Sequence, residues 1–244
     1  MTRKKVEKVK NPLSAPILHF DVDKDEFLNK HVLAPLWPFR LLICGGTGSG
    51  KTNLLLNLIF KYLYYNKIYI YAKDLTESKY QMLQDFFKEV DGVIREKTEE
   101  EDFQIATFSS SKDDIINVDD LDKEYQNLVV FDDFVTEADQ HLIEDLFIRS
   151  RKKNCSLIYL TQSYFSTPKD IRLQCNYFVF YNISNERELS DIQRDHCLDI
   201  NKDTFKAYFK EATSEIYNFF LIDKKTKELR FRKNLDIIFE NINE

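Results

Sequence analysis

From Arg40 onward, short apolar runs recur along the chain, each followed by a polar turn and then by a helical period. The runs are LLIC at 41–44, IYIYA at 68–72, LVVF at 128–131, LIYL at 157–160 and YFVFY at 177–181. Their length and their β-branched, aromatic and Leu content fit parallel strands buried on both faces. Between them, Leu55, Leu58, Ile59, Tyr62 and Leu63 follow the i, i+3, i+4, i+7, i+8 spacing of an apolar helical stripe. Met82, Leu83, Phe86 and Phe87 form a second stripe, and Leu142, Ile143, Leu146 and Phe147 a third. Strands alternating with helices predict βαβ units, so the fold class is α/β: a doubly wound, mainly parallel sheet flanked by helices. After Tyr217, NFFLID and ELRFRKN flank KKTK, which predicts a C-terminal β-hairpin. The acidic, weakly periodic segment from about Glu99 to Gln126 reads as a solvated loop or irregular insert. Pro12, Pro16, Pro35 and Pro38 crowd the first 38 residues, as in an arm. The expected organisation is an N-terminal arm over 1–37 and a single domain over 38–244, with its core at about 38–190 and helices and a hairpin over 191–244.

Composition sharpens this picture at one place. The chain has five glycines, and four of them, Gly45, Gly46, Gly48 and Gly50, fall within six residues. Such concentration marks a single site of unusual backbone geometry. Thirty-five basic against 41 acidic residues give a net charge of −6, so no global basic field announces a nucleic-acid binder. A motor can still hold DNA through a few local basic loops. Cys44, Cys155, Cys175 and Cys197 lack CxxC spacing and read as reduced, buried thiols. His196 and Cys197 beside Asp195 make a poor metal site, since adjacent ligands rarely converge. The basic N-terminus has no signal-peptide apolar stretch, and no run approaches the about 18 apolar residues of a membrane span, so an intracellular protein is expected.

Directly after the first apolar run comes GGTGSGKT, comprising Gly45, Gly46, Thr47, Gly48, Ser49, Gly50, Lys51 and Thr52. It fits G-x-x-x-x-G-K-[ST] without mismatch, between a strand and an apolar helix. Backbone N–H groups of such a loop converge on a phosphate, and the following helix adds its N-terminal positive end. Lys51 supplies a mobile cation for the β- and γ-phosphates, and the Thr52 hydroxyl is a Mg²⁺ ligand. LVVFDD then delivers two carboxylates at the end of a buried strand. Asp132 would hold Mg²⁺ through water, and Asp133 would orient the attacking water. SLIYLTQS ends in Gln162, placed to hydrogen-bond the γ-phosphate or the water. Upstream, FIRSRKKN carries Arg149 and Arg151, which either complement a helix C-terminus or act on phosphate. If the helix runs through Arg151, Ser150 falls on its buried face and the two arginines leave about 200° apart, so only one can serve a given phosphate.

Other nucleotide-binding classes fit less well. NKDT at Asn201–Thr204 places its Asp one position early for guanine recognition, and no D-x-x-G occurs. Only Gly92 remains outside the phosphate loop, too little for the Gly-rich second motif of a transport ATPase. DIRLQ and NERELSDIQRD imitate the Arg-rich lid of a small-molecule kinase, which keeps that class open.

Taken together, GGTGSGKT, LVVFDDF, FIRSRKKN, SLIYLTQSYFSTPKDIR and YFVFYN resemble the viral genome-packaging ATPases of the FtsK–HerA superfamily. The likeness spans about residues 38–190 and is nearest to the short forms of poxviruses, other large DNA viruses and virophages. It implies a RecA-like P-loop NTPase sheet, with the strand ending at Gln162 between the phosphate-loop strand and the Asp132 strand. It further implies ATP and Mg²⁺ as cofactors and a homo-oligomeric ring, six subunits being expected. That ring would push double-stranded DNA, without sequence preference, into a capsid. Capsid vertex components would be partners, and viral assembly sites in the host cytoplasm, or the virion, the location. Gln162 matches the sensor position, and Arg149 with Arg151 the arginine-finger region. Many members carry Glu where this chain has Asp133, one methylene shorter. The alternatives are another RecA-like helicase or cellular DNA pump, or a P-loop phosphotransferase. Basic candidates for DNA are Arg3, Lys4 and Lys5, then Lys73, then Lys224, Lys225 and Lys227, each more readily read as solvated surface charge.

Overall fold

The computed structural model describes residues 29–98, 104–134, 140–227 and 230–239. The apolar runs become strands β1 (Arg40–Cys44), β2 (Lys67–Ala72), β4 (Asn127–Asp132), β5 (Cys155–Thr161) and β6 (Tyr177–Phe180). With β3 (Ala106–Ser109) they form the parallel part of one sheet, ordered β3-β2-β4-β5-β1-β6. β5 lies between β1 and β4, as the family resemblance implied. The tail hairpin is present as β7 (Phe220–Asp223) and β8 (Phe231–Lys233). β7 pairs antiparallel with β6, and β9 (Ile237–Ile238) closes that edge.

β3 corrects, at one place, the reading of about 99–126 as a solvated loop or irregular insert. A four-residue edge strand with one neighbour leaves too short a period to see in sequence. The rest of the segment, from 104, is irregular, with two 3₁₀ turns. It still sends Ile115, Val118 and Leu121 into the core.

Among the described residues, six α-helices cover the sheet: α1 (Lys51–Asn57), α2 (Ser78–Thr98), α3 (His141–Arg149), α4 (Lys169–Gln174), α5 (Glu186–His196) and α6 (Lys202–Ala212). α1 runs on into a π-turn at Leu58–Tyr62. Alternate side chains of each central strand enter opposite layers. Leu41, Ile43, Ile70, Val130 and Leu160 pack with α1 and α2, while Leu42, Val129, Phe131 and Tyr159 pack with α3. The stripe of α1 is buried at Leu55, Leu58, Ile59 and Leu63. Two other stripes are narrower than expected: Met82 (48% exposed), Phe86 (41%) and Leu142 (44%) overhang the layer. On α2 the buried line is Tyr80, Leu83 and Phe87, the i, i+3, i+7 row that one sheet face covers.

Of the segment read as an arm, residues 1–28, including Arg3, Lys4 and Lys5, lie outside the described residues. The remainder ends packed into the domain: Ala34 and Trp37 are buried, and Trp37 Nε1 donates to Asn154 Oδ1 at 2.7 Å. The tail is fastened to it. Arg232, buried beside Asp223 at 3.4 Å, donates to the carbonyl of Leu33, and Lys225 donates to those of Leu36 and Pro38.

Arg40, at the start of β1, is buried. Its guanidinium donates to the carbonyls of Phe39, Phe147 and Cys155 and to Ser150 Oγ, at 2.9–3.2 Å. All four cysteines are free and buried, and burial pushes the Cys44 and Cys155 thiols up to about 12.

Candidate functional site

The parallel strands end on one edge of the sheet, where side chains and loops of a doubly wound fold gather. There the turn after β1 and the ends of β2, β4 and β5 enclose a cleft of about 620 Å³. The phosphate loop runs from Gly45 to the first turn of α1. Gly48 at φ 75° and Gly50 at φ 109° hold left-handed backbone, and Gly50 caps α1. Gly45 is required by crowding instead: a Cβ there would lie 2.7 Å from Ser49 Oγ and 2.8 Å from Tyr181 Cβ. Thr47, Ser49 and Thr52 line the cleft, and Ser49 Oγ is buried with no hydrogen-bond partner in the protein. Lys51 Nζ curls over the loop, donating to the carbonyls of Gly45 at 2.6 Å and Gly46 at 3.1 Å. The loop therefore gathers donors and a cation around one concavity, which fits a phosphate group.

Across from the loop, Asp132 ends β4 and accepts a hydrogen bond from the phenol of Tyr80. Burial raises the Asp132 pKa, against the opposing pull of the Tyr80 bond and the Lys51 charge. Burial and the Asp132 charge push the Tyr80 phenol upward as well. Asp133 turns out of the strand at φ 59°. Gln162, just past β5, donates from Nε2 to Asp133 Oδ2 at 3.3 Å. Behind it, Glu188 of α5 accepts from the backbone N–H of Tyr164 at 2.7 Å and fixes the turn.

Thus Lys51, Thr52, Asp132, Asp133 and Gln162, expected from sequence, meet at one cleft. Arg149 and Arg151 do not join them in this chain. They precede the first residue of β5 whereas Gln162 follows its last, and seven strand residues separate the two ends by roughly 20 Å. α3 stops at Arg149, and Ser150–Lys153 tighten into a 3₁₀ turn, so the helix does not run through Arg151. Ser150 is buried, as the stripe required. Arg149 is held by Asp145 at 2.7 Å and Asp119 at 3.0 Å, whereas Arg151 is exposed in the turn.

Sequence reasoning missed Tyr80, Glu77 and Tyr217, which also line the cleft. Tyr80 did carry a signal, a hydroxyl on the buried row of an amphipathic helix, which needs a polar partner. Lys73, first read as a candidate for DNA, also lines the cleft. Lys225 is occupied by backbone carbonyls, and Lys224 lies over the Phe178 ring at 5.8 Å.

Solved structures that share this fold include two viral packaging ATPases. The DNA-packaging ATPase B204 from Sulfolobus turreted icosahedral virus is 15% identical, with 80% of this chain and 96% of that chain covered and a TM-score of 0.52. The genome packaging NTPase B204 from Sulfolobus turreted icosahedral virus 2, in complex with AMPPCP, is 14% identical, with 79% and 96% covered and a TM-score of 0.51. No curated protein sequence matches the chain. A family model described as Poxvirus A32 protein matches residues 24–227. With its phosphate loop, paired acids and Gln162 in place on a RecA-like sheet, the chain belongs to the poxvirus A32 protein family.

Proposed function

We propose that the chain is an ATP-hydrolysing motor that moves double-stranded DNA and packages a viral genome into a capsid. The observation that carries this reading is the convergence of Lys51, Thr52, Asp132, Asp133 and Gln162 on one cleft at the carboxyl edge of the sheet. In it, backbone N–H groups of residues 46–51 and the Lys51 ammonium bind the β- and γ-phosphates. Thr52 and Asp132 offer the hard oxygen donors that Mg²⁺ takes. Among the described residues no cluster of three or more His, Cys, Asp or Glu is able to hold an ion, so phosphates and water would complete its shell. A magnesium ion held by these two residues would supply neutralisation of the phosphate charge. Tyr80 fixes the Asp132 carboxylate through its phenol. Asp133 accepts a proton from the attacking water, and Gln162, already bonded to Asp133, orients that water.

The described cleft holds no arginine. Arg151 is exposed and Arg149 is committed to two carboxylates, which favours Arg151 as the residue that completes a neighbouring subunit's site. That assignment goes with a ring, of six subunits by family resemblance, docked on capsid vertex components at viral assembly sites in the host cytoplasm.

Lys51→Ala tests the motor directly. It removes a cation from a solvent-facing loop and no core packing, so the variant should melt as the parent does while ATP turnover drops to background. Unchanged turnover would remove the motor reading.

A further inference from the structure

A second cleft, of about 410 Å³, opens beside the first and shares Gly50, Asn53 and Tyr217 with it. It lies on the β6–β7 side of the phosphate loop, away from the acids on β4, and Tyr181, Asn234 and Asp236 are among its other lining residues. Tyr217 stands at the junction of the two. Its ring is exposed, its backbone sits at φ 70°, and a Cβ on Gly50 would lie 3.2 Å from its Cδ1. A bulky residue rarely adopts that backbone, and here a brace maintains it. Asn234, itself at φ 56°, donates to Asn218 Oδ1 at 3.0 Å and accepts from the Phe219 N–H at 3.2 Å. The loop is built to present an aromatic ring over the first turn of α1.

A triphosphate whose γ end lies between Lys51 and the acids must run its other end the opposite way, over Gly50 and Asn53. There it meets Tyr217. We infer that this second cleft takes the purine base of the bound nucleotide, with the Tyr217 ring as its stacking platform and Tyr181 behind. The inference rests on the nucleotide-binding reading above and extends it to residues outside the phosphate loop. Stacking suits the site because the exposed ring offers a flat apolar face, while Asn53 and Asp236 provide polar groups at the rim.

The test compares ATP with inorganic tripolyphosphate, which has the charges and no base. Tyr217→Ala should weaken ATP binding about tenfold or more and leave tripolyphosphate binding unchanged. Tyr217→Phe, which keeps the ring, should restore ATP affinity. On the unaltered protein, 2-aminopurine riboside triphosphate should lose fluorescence on binding, as a stacked base does. Equal ATP affinity in Tyr217→Ala, equal weakening of both ligands, or an unquenched 2-aminopurine would overturn the base site. An unaltered protein that binds neither ATP nor tripolyphosphate would instead bring down the nucleotide reading beneath it.

Discussion

Asp133 holds a left-handed backbone, which an aspartate tolerates better than a glutamate because its short carboxylate bonds locally. The shorter acid and the turn that aims it at Gln162 are thus one adaptation. Asp133→Asn keeps both the backbone preference and the contact to Gln162 while removing the base. It should lower turnover about 10²–10⁴-fold with ATP affinity and melting temperature unchanged, by steady-state assay and calorimetry. The arginines divide in the same way. Arg151→Ala should cost on the order of 10³-fold in turnover while ATP still binds. Arg149→Ala should retain turnover and leave the melting temperature nearly unchanged, because both its ion pairs are solvent-exposed. The reverse pattern would transfer the finger to Arg149. Nothing in the sequence separated these two residues. Asp119, one partner of Arg149, lies thirty positions upstream in a segment without period.

Elements were legible where a run was buried on both faces, as in β1, β2, β4, β5 and β6, and where a turn cluster split two runs, as in β7 and β8. They were hidden where burial was partial. β3 has four residues and one neighbour, and Met82, Phe86 and Leu142 are apolar positions that the layer does not reach. Within the site, motif residues announce themselves by spacing along the chain. Tyr80 and Tyr217 reach the cleft from α2 and the tail, a juxtaposition that only the folded sheet creates. The end of α5 carries its own test. His196 is buried, stacked on Phe178 at 3.9 Å and bonded to the Tyr164 hydroxyl at 2.8 Å. Burial, together with nearby Lys224, Arg172 and Arg230 and against the Asp195 charge, lowers its pKa to about 3. The folded pKa lies below the unfolded value, so the unfolded chain takes up the proton first, and stability is lost as pH falls from 6.5 toward about 3. By pH 4.5 the loss from this group is roughly 2–3 kcal/mol. His196→Phe keeps a ring against Phe178 and removes the proton. Its unfolding free energy should fall less steeply than the parent's between pH 7 and 4.5, and parallel curves would count against this account.

As a whole, the molecule carries −6, so no global basic field draws DNA in. Duplex binding by the proposed motor therefore depends on a handful of phosphate contacts per subunit and no base readout. Affinity measured by fluorescence anisotropy should fall steeply between 50 and 200 mM salt and be indifferent to sequence; a salt-insensitive or strongly sequence-selective complex would exclude translocation. One internal fastening governs how such a machine would run. Arg40 binds the end of α3 and the start of the Arg151 turn to the foot of β1, and the same strand carries the phosphate loop at its head. If Arg151 serves a neighbour as proposed, a subunit would have little slack between its own phosphate loop and that arginine. In the proposed ring, that fastening would act as gearing: a tilt at one cleft would be passed through a single buried guanidinium to the fit at the next.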